Sequence, residues 1–240
     1  MLVEASVLES RLNSALSSYV DSEGNVDYSS LEADKTVEEF TSWLETFDKK
    51  SLEAVNEKIA FWINAYNILI IYSVIMRLRK NTEYADTGNR GRFQRLAFFY
   101  KTKHKIGGKK YNFSQIEKVL RSASDPRVHF AMSCASQSCP ALRNSLYTTK
   151  NLDHELDNAT RAFIRSPHGS RLDKENKTLH LSAIFKWYGK DFEKMSESVL
   201  SFVEKYLRNE DRDFVKANRS EIQVDFLPYD WGLNIKKTGD

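Results

Sequence analysis

The chain contains very little cysteine: Cys134 and Cys139 are the only two among 240 residues. A small secreted scaffold held together by disulfides needs several cysteine pairs, so this class of protein is excluded. Because the two thiols stand only five positions apart, they raise a question of chemistry rather than of structural framework.

An excess of charge is also lacking, since 36 Lys and Arg face 33 Asp and Glu for a net charge of +3. This balance gives no electrostatic reason to bind a polyanion, and we do not expect nucleic acid as a partner. The opening residues MLVEASVLES lack the cationic start and apolar run of a secretory signal. We therefore expect a cytoplasmic protein, or an exported one if a signal peptide has been removed.

Metal and cofactor motifs are not evident. The segment DSEGNVDYSSLE (21–32) has the oxygen-bearing spacing of a calcium loop, but Gly24 stands at position 4, whereas the sharp turn of such a loop falls at position 6. His129 and the two thiols would give zinc only three ligands. We expect no metal and no cofactor, and a small-molecule or peptide substrate; the oligomeric state is not indicated.

The most apolar stretch is FWINAYNILIIYSVIM (61–76), and it carries Asn64 and Asn67 in its first half. The amides and two tyrosines would be costly in lipid, so we interpret the stretch as the buried central helix of a globular protein, not a membrane span. A buried amide needs partners. Asn64 and Asn67, which share one helix face, therefore either bind neighbouring loops or line a polar pocket.

The remaining pattern is mostly helical. Apolar spacing predicts helices near 36–47, 152–163 and 199–207. The segment KHKIGGKKYNF (103–113) predicts a hairpin that turns at Gly107-Gly108, and RVHFAMSC (127–134) predicts a buried strand. We expect a helix-rich α+β fold with a small β-sheet or hairpin, forming a single domain over 1–240 with an N-terminal helical extension at about 1–50.

The segment DPRVHFAMSCASQSCPAL (125–142) carries the strongest chemical signal. Pro140 suits the first position of a helix, which would place Cys139 at the N-cap, where unpaired amides stabilise a thiolate. On the predicted strand, His129 points away from Val128 and Phe130 and could face a pocket. A neutral imidazole there could deprotonate Cys139, as in thiol-dependent acyl transfer.

Other interpretations of the thiols stay open. Either cysteine could be a small buried residue, which is the commonest role of a free cysteine. The spacing could also allow a disulfide across the loop, with a redox or structural role.

Several segments together resemble the domain of unknown function 547 family: EKIAFWINAYNILIIYSVI, KIGGKKYNFSQIEKVLR, DPRVHFAMSCASQSCPAL, LSAIFKWYGKDF and FLPYDWGLN. The resemblance extends from about residue 55 to the C-terminus, and NVDYSSL resembles the entry segment of that family. The family motifs fall on Trp62, Asn64, Tyr66, Asn67, Gly107, Gly108, Glu117, Arg121, Arg127, His129, Cys134, Ser138, Cys139, Pro140, Lys186, Trp187, Asp191, Asp230, Trp231 and Asn234. Lys118 departs from the family pattern, which commonly has histidine there.

The resemblance implies motif positions rather than an activity. Glu117 either pairs with Arg121 along a helix or holds the imidazole of His129, a role for which Asp191 and Asp230 compete. By analogy with papain-like and transglutaminase-like enzymes, we expect a cysteine-dependent hydrolase or acyltransferase acting on an amide or thioester, with Cys139, His129 and Glu117 as catalytic residues. The candidate binding residues are Asn64, Asn67, Trp62, Tyr66, Arg127, Cys134, Ser138, Lys186 and Asp191. A non-catalytic binding or scaffold module and a thiol-disulfide protein are the alternatives.

Overall fold

In a computed structural model of the chain, residues 2–236 are described, with side chains from residue 6 onward. The α-helices are α1 (Leu2–Tyr19), α2 (Tyr28–Asp34), α3 (Thr36–Thr46), α4 (Val55–Leu78), α5 (Tyr84–Thr87), α6 (Arg92–Leu96), α7 (Phe113–Arg121), α8 (Val128–Ala131), α9 (Leu152–Ile164), α10 (Ala183–Trp187), α11 (Gly189–Met195), α12 (Val199–Glu204) and α13 (Asn209–Ala217). A 3₁₀ turn spans Lys49–Ser51, and a π-helical turn at Ala97–Lys101 continues α6. The strands are β1 (Lys103–Ile106), β2 (Lys109–Asn112), β3 (Ser170–Asp173), β4 (Thr178–Leu181) and β5 (Gln223–Phe226).

The central helix α4 confirms the prediction of a buried helix. It is apolar nearly all round, and residues on all its faces are buried, including Ile63, Leu69 and Val74. Its length and composition would suffice to cross a membrane, but 78% of the relevant window lies inside the protein. The first turn is capped by the Glu57 carboxylate, which accepts a hydrogen bond from the Glu53 amide at 2.9 Å.

The core consists of two hydrophobic clusters. The first surrounds α4 and includes Leu12, Leu31 and Leu44 from α1, α2 and α3, so the predicted N-terminal extension packs against the central helix. The second is formed by α9 to α13 together with β4. Short helix α8 joins the two, because Val128 and Ala131 belong to the first cluster and Phe130 to the second. His129 therefore lies where the two clusters meet.

In the described part of the chain the strands form two small sheets, and the predicted helix-rich α+β fold is confirmed. Strands β1 and β2 make the predicted antiparallel hairpin; Gly107 and Gly108 have φ of 52° and 75°, the positive values that a primed two-residue turn requires. In the second sheet β4 pairs antiparallel with β3 and parallel with β5. Strand β5 leads the chain back toward the segment that contains the cysteines.

The strand predicted over 127–134 is wrong, because α8 occupies its first half. Asp125 and Pro126 start this helical turn: the Asp125 carboxylate accepts the amide of Arg127 at 3.0 Å, and the Pro126 carbonyl accepts the amide of His129 at 3.2 Å. An apolar run this short fits a buried strand and a buried helix equally well. The Asp-Pro start was the signal that favoured the helix.

The helix predicted after Cys139 is also wrong, because residues 139–151 contain no helix. Asn64 and Asn13 bind the backbone of Tyr147 and Leu146 and hold this segment in an irregular path over the first cluster. Cys139 is therefore not a helix N-cap, and the arrangement expected from papain-like enzymes, with a thiolate at a helix N-terminus, is absent from this segment.

Candidate functional site

A pocket of about 370 Å³ opens where the two hydrophobic clusters meet. It is lined by residues from α4, from the α6 and π-helical segment, from α7 and α8, from the cysteine loop and from the C-terminal tail. Among them are four of the predicted site residues that carry chemistry: Glu117, His129, Cys134 and Cys139. Tyr66 lines it as well. A seam between packed units is a common place for a ligand site.

The cysteine loop (132–139) is fixed from below by α4. The Asn67 side-chain amide donates to the Ala131 carbonyl at 2.9 Å, and its oxygen accepts the Ser133 amide at 2.9 Å. These two bonds occupy the buried Asn67 amide, so it does not line the pocket. Next to Cys134, Ala135 has φ of 60°, a left-handed conformation that is costly for a residue with a Cβ and must be held by its surroundings.

The C-terminal tail (229–235) holds the loop from the other side. The amides of Gln137 and Ser138 donate to the carbonyls of Gly232 and Asp230, at 2.8 and 3.2 Å. The Asn234 amide donates to the Ala135 carbonyl at 3.1 Å, and the buried Ser138 hydroxyl accepts the Asp230 amide at 2.9 Å. Ser138 thus fastens the tail rather than facing the pocket, and the tail delivers Tyr229 to the thiols.

Both thiols are half-buried and reduced. The Cys134 Sγ lies 3.4 Å from the Ser136 hydroxyl and 3.3 Å from the Tyr229 hydroxyl, while the Cys134 amide donates to the Cys139 Sγ at 2.8 Å. Burial raises the pKa of Cys134, but hydrogen bonds from Cys139, Ser136 and Tyr229 to its thiolate outweigh burial and lower the pKa to about 7. Burial and the neighbouring Cys134 raise the pKa of Cys139 well above that of a free thiol. The prediction that Cys139 is the nucleophile remains a prediction, and the hydrogen bonds at the sulfur atoms make Cys134 a second candidate.

His129 is held by Asp191, not by Glu117. Its Nε2 lies 3.1 Å from the Asp191 Oδ2, which also accepts the Arg121 Nε at 2.6 Å, and its ring stacks on Tyr188 at 4.1 Å between centroids. Burial lowers the pKa of His129 to about 4, although Asp191 acts in the opposite direction, so the imidazole is neutral near pH 7. In the described residues no hydrogen bond joins His129 to either thiol.

Glu117 lines the pocket as a separate acidic group. Its carboxylate is 3.8 Å from Arg121, in agreement with the helical pairing that its spacing predicts, and its side chain is 22% exposed. Burial raises the pKa of Glu117 against the opposite effects of Tyr188 and Arg121. A raised pKa makes the protonated form of Glu117 more populated than that of an exposed carboxyl group, and the protonated form can donate a proton.

The other predicted binding residues lie away from the pocket. The Asn64 amide pairs with the Tyr147 backbone in both directions, at 2.9 Å each. Trp62 packs edge-on against Tyr111 in the core. Arg127 binds the carboxylates of Asp125 and Asp153, at 2.8 and 2.7 Å, and the exposed Lys186 covers the ring of Phe226. Asp191 is not part of the pocket lining, and its carboxylate contacts His129 and Arg121.

Six aromatic residues at the pocket were not among the predicted site residues: Phe99, Tyr100, Trp187, Tyr188, Tyr229 and Trp231. The last four come from the WYG and PYDW segments, whose density of aromatic residues was the signal in the sequence. Trp187 and Trp231 stack at 5.6 Å and 26°, and Tyr229 packs on both. The pocket wall opposite α4 is therefore largely aromatic.

No group of three or more His, Cys, Asp or Glu side chains converges in residues 2–236 in a way that could hold a metal ion. His104 is buried and paired with the Ser73 hydroxyl at 2.9 Å.

Residues 50–164 match the family model described as "Protein of unknown function, DUF547". The resemblance predicted from the sequence is thereby confirmed over this range, which contains α4, the hairpin, α8 and the cysteine loop; the WYG and PYDW segments lie beyond it. No curated protein matches the chain, and no solved structure matches it.

Proposed function

We propose that the chain is a thiol-dependent hydrolase or acyltransferase in which Cys134, rather than Cys139, is the nucleophile. The observation that carries this proposal is the setting of the Cys134 sulfur: it faces a pocket and lies within reach of the Ser136 and Tyr229 hydroxyls, at 3.4 and 3.3 Å. Both hydroxyls can donate to a thiolate, which is the reactive form of cysteine.

In this proposal Cys139 stays protonated and acts as a hydrogen-bond donor to Cys134. Its pKa is raised by burial and by Cys134, so it keeps its proton and donates a hydrogen bond to the neighbouring sulfur. The pair thus shares one negative charge near pH 7, and the thiolate forms without transfer of a proton to His129.

In the acylation step the Cys134 thiolate attacks the carbonyl carbon of an ester, thioester or amide. A C–S bond forms, the carbonyl oxygen takes up the electron pair, and the bond to the leaving group breaks as the oxyanion collapses. Glu117, whose pKa is raised by burial, supplies the proton to the leaving group. The Tyr66 hydroxyl lines the same pocket and has no hydrogen-bond partner among the described residues, so it is free to donate to the oxyanion.

In the deacylation step water or another acceptor attacks the thioester and Cys134 leaves as the thiolate. With its Nε2 on Asp191, the neutral imidazole of His129 presents Nδ1 as the acceptor for the proton of the attacking group. A histidine whose pKa is about 4 is a weak base, so we expect deacylation to be the slow step.

The test is the pH dependence of iodoacetamide labelling in the native protein, with the site of labelling identified by peptide mass. We expect Cys134 to react with a midpoint near pH 7 and about tenfold faster at neutral pH than an unfolded cysteine. Tyr229→Phe, which removes one hydroxyl from the sulfur, should move the midpoint upward. A rate of Cys134 labelling in the native protein below the rate in the unfolded chain would refute the proposal.

A binding module without catalysis is the second candidate, and the stacked wall of Trp187, Tyr229 and Trp231 favours it. In that case Cys134→Ser retains ligand affinity, and no covalent acyl protein accumulates in the native chain with any activated ester. A thiol-disulfide role rests on the closeness of the two cysteines; it predicts an oxidised form that dithiothreitol converts back to two reactive thiols.

A further inference from the structure

Several large apolar side chains at the mouth of the pocket are exposed to solvent, and the proposed thiol reaction does not use them. Trp187 is 47% exposed although it is stacked on Trp231, and Tyr100, on the part of the rim formed by the π-helical turn, is 55% exposed. Leu96, also on the rim, is 43% exposed. Large apolar side chains gathered around an opening indicate that a flat apolar group lies between them when the site is occupied.

The rim formed by α6 carries two arginines, of which one has contact partners and the other has none among the described residues. The Arg95 guanidinium lies 4.9 Å over the Trp231 ring and donates from one terminal nitrogen to the carbonyls of Asn89 and Arg90, so these contacts fix its position. Arg92 lines the same pocket, is exposed, and has no hydrogen-bond or ion-pair partner among the described residues. It is the cation of the rim that is available to a ligand.

Inside the pocket the ionisable groups favour an uncharged ligand portion. The deeper lining includes the Glu117 carboxyl group and the two thiols, which carry either no charge or negative charge and would repel an anion, and the buried His129 imidazole is neutral. An anionic group is therefore disfavoured at the thiol end and favoured at the rim, beside Arg92.

From this polarity we propose the substrate class: acyl compounds whose reactive carbonyl is joined through an oxygen or nitrogen atom to a planar aromatic ring that carries an anion at its far end. The ring lies between Trp187 and the Tyr100 rim, the carbonyl reaches Cys134, and the anion pairs with Arg92. The inference rests on the proposed function for its reactive step and on the pocket alone for its binding step.

The probe is 4-acetoxybenzoate, compared with its neutral methyl ester. Cys134 attacks the acetyl carbon, the C–O bond breaks, and the phenolate oxygen takes the proton, so release of 4-hydroxybenzoate is followed by absorbance. We expect the native protein to cleave the anionic probe about fivefold more efficiently, by kcat/KM, than the neutral one. Arg92→Gln should abolish this preference, so that kcat/KM becomes equal for the anionic and the neutral probe.

Arg171→Gln is the matched control, because Arg171 is an exposed arginine on β3 without a side-chain partner among the described residues and outside the pocket. It should change neither rate. Trp187→Ala should lower kcat/KM for both probes by about tenfold through loss of stacking. Binding is measured separately as quenching of tryptophan fluorescence by 4-acetamidobenzoate in Cys134→Ser, which lacks the proposed nucleophile.

The outcomes separate the two proposals. Equal cleavage of both probes, unchanged by Arg92→Gln, overturns the substrate class and leaves the thiol chemistry in place. Binding of 4-acetamidobenzoate that is weakened by Arg92→Gln, without any acylation of the native protein, supports the ligand class and overturns the proposed reaction. If neither probe is cleaved and the amide does not bind, the substrate class fails.

Discussion

Replacement of Asn67 by leucine tests the claim that α4 positions the cysteine loop. Asn67 is 5% exposed and satisfies two backbone groups, the Ala131 carbonyl and the Ser133 amide. Leucine has a similar size but binds neither group. Each buried backbone group left without a partner costs about 1–3 kcal/mol, and the added apolar surface recovers about 1 kcal/mol. We expect Asn67→Leu to lower the free energy of unfolding by about 2–4 kcal/mol.

Asn64→Leu is the matched control. Asn64 makes the same pair of bonds, but to the Tyr147 backbone and in a half-buried position where water can replace part of what is lost. Its expected cost is about 1–2 kcal/mol. Only Asn67→Leu should affect the thiol, because only that amide holds the residue before Cys134.

The assays are urea unfolding, followed by far-ultraviolet circular dichroism, and the pH midpoint of iodoacetamide labelling. In Asn67→Leu the midpoint of Cys134 should rise toward about 8.5, the value of a free thiol. In Asn64→Leu it should stay where it is in the native protein. A loss of stability below about 1 kcal/mol for Asn67→Leu, with an unchanged midpoint, would refute the reasoning.

Three further predictions concern two glycines, His129 and Arg121. Gly24 has φ of 81°, and the Cβ of an alanine there would lie 2.5 Å from the Leu142 nitrogen, so Gly24→Ala should lower the free energy of unfolding in urea by more than about 2 kcal/mol. Gly108 has φ of 75° but no atom within 4 Å of the added Cβ, so Gly108→Ala should cost only the backbone strain, about 1 kcal/mol. Burial lowers the pKa of His129 from 6.5 to about 4, so between these values the unfolded chain binds a proton on this residue that the folded chain does not. The contribution of the neutral imidazole to the free energy of unfolding should therefore be complete above about pH 6.5 and decrease as the pH falls toward 4. Urea unfolding at about pH 7.5 and about pH 5 measures this difference. Arg121→Gln removes a positive charge that lowers the pKa of His129, so that pKa should rise, as measured by the shift of its ring resonances; an unchanged value contradicts the assigned contact.

The site was only partly predictable. The sequence singled out the segment with both thiols and His129, and these residues do line one pocket. It ranked Glu117 as the carboxylate that holds the imidazole because Glu117 is near in the chain, whereas the partner is Asp191, 62 positions away from His129. It did not identify Tyr229, which reaches Cys134 from 95 positions away. Contacts between such distant positions leave no periodic signal in the residues between them.

The two errors in backbone structure have one cause. Both 127–134 and the segment after Cys139 are short and lack a sustained apolar period, so local preference alone could not decide their conformation. Their conformation is set by outside partners: Asn67 for the loop, Asn64 for Tyr147, and the tail from Asp230 to Asn234 for Ala135 to Ser138.

The sequence by itself determined the buried central helix, the hairpin at Gly107-Gly108 and the helix-rich α+β class, because each follows from an apolar period or a turn requirement contained in adjacent residues. Tertiary structure decided which hydroxyl groups lie beside the two thiols and which carboxylate holds His129. Both depend on hydrogen bonds and burial where the two hydrophobic clusters meet, and these exist only once distant parts of the chain have come together.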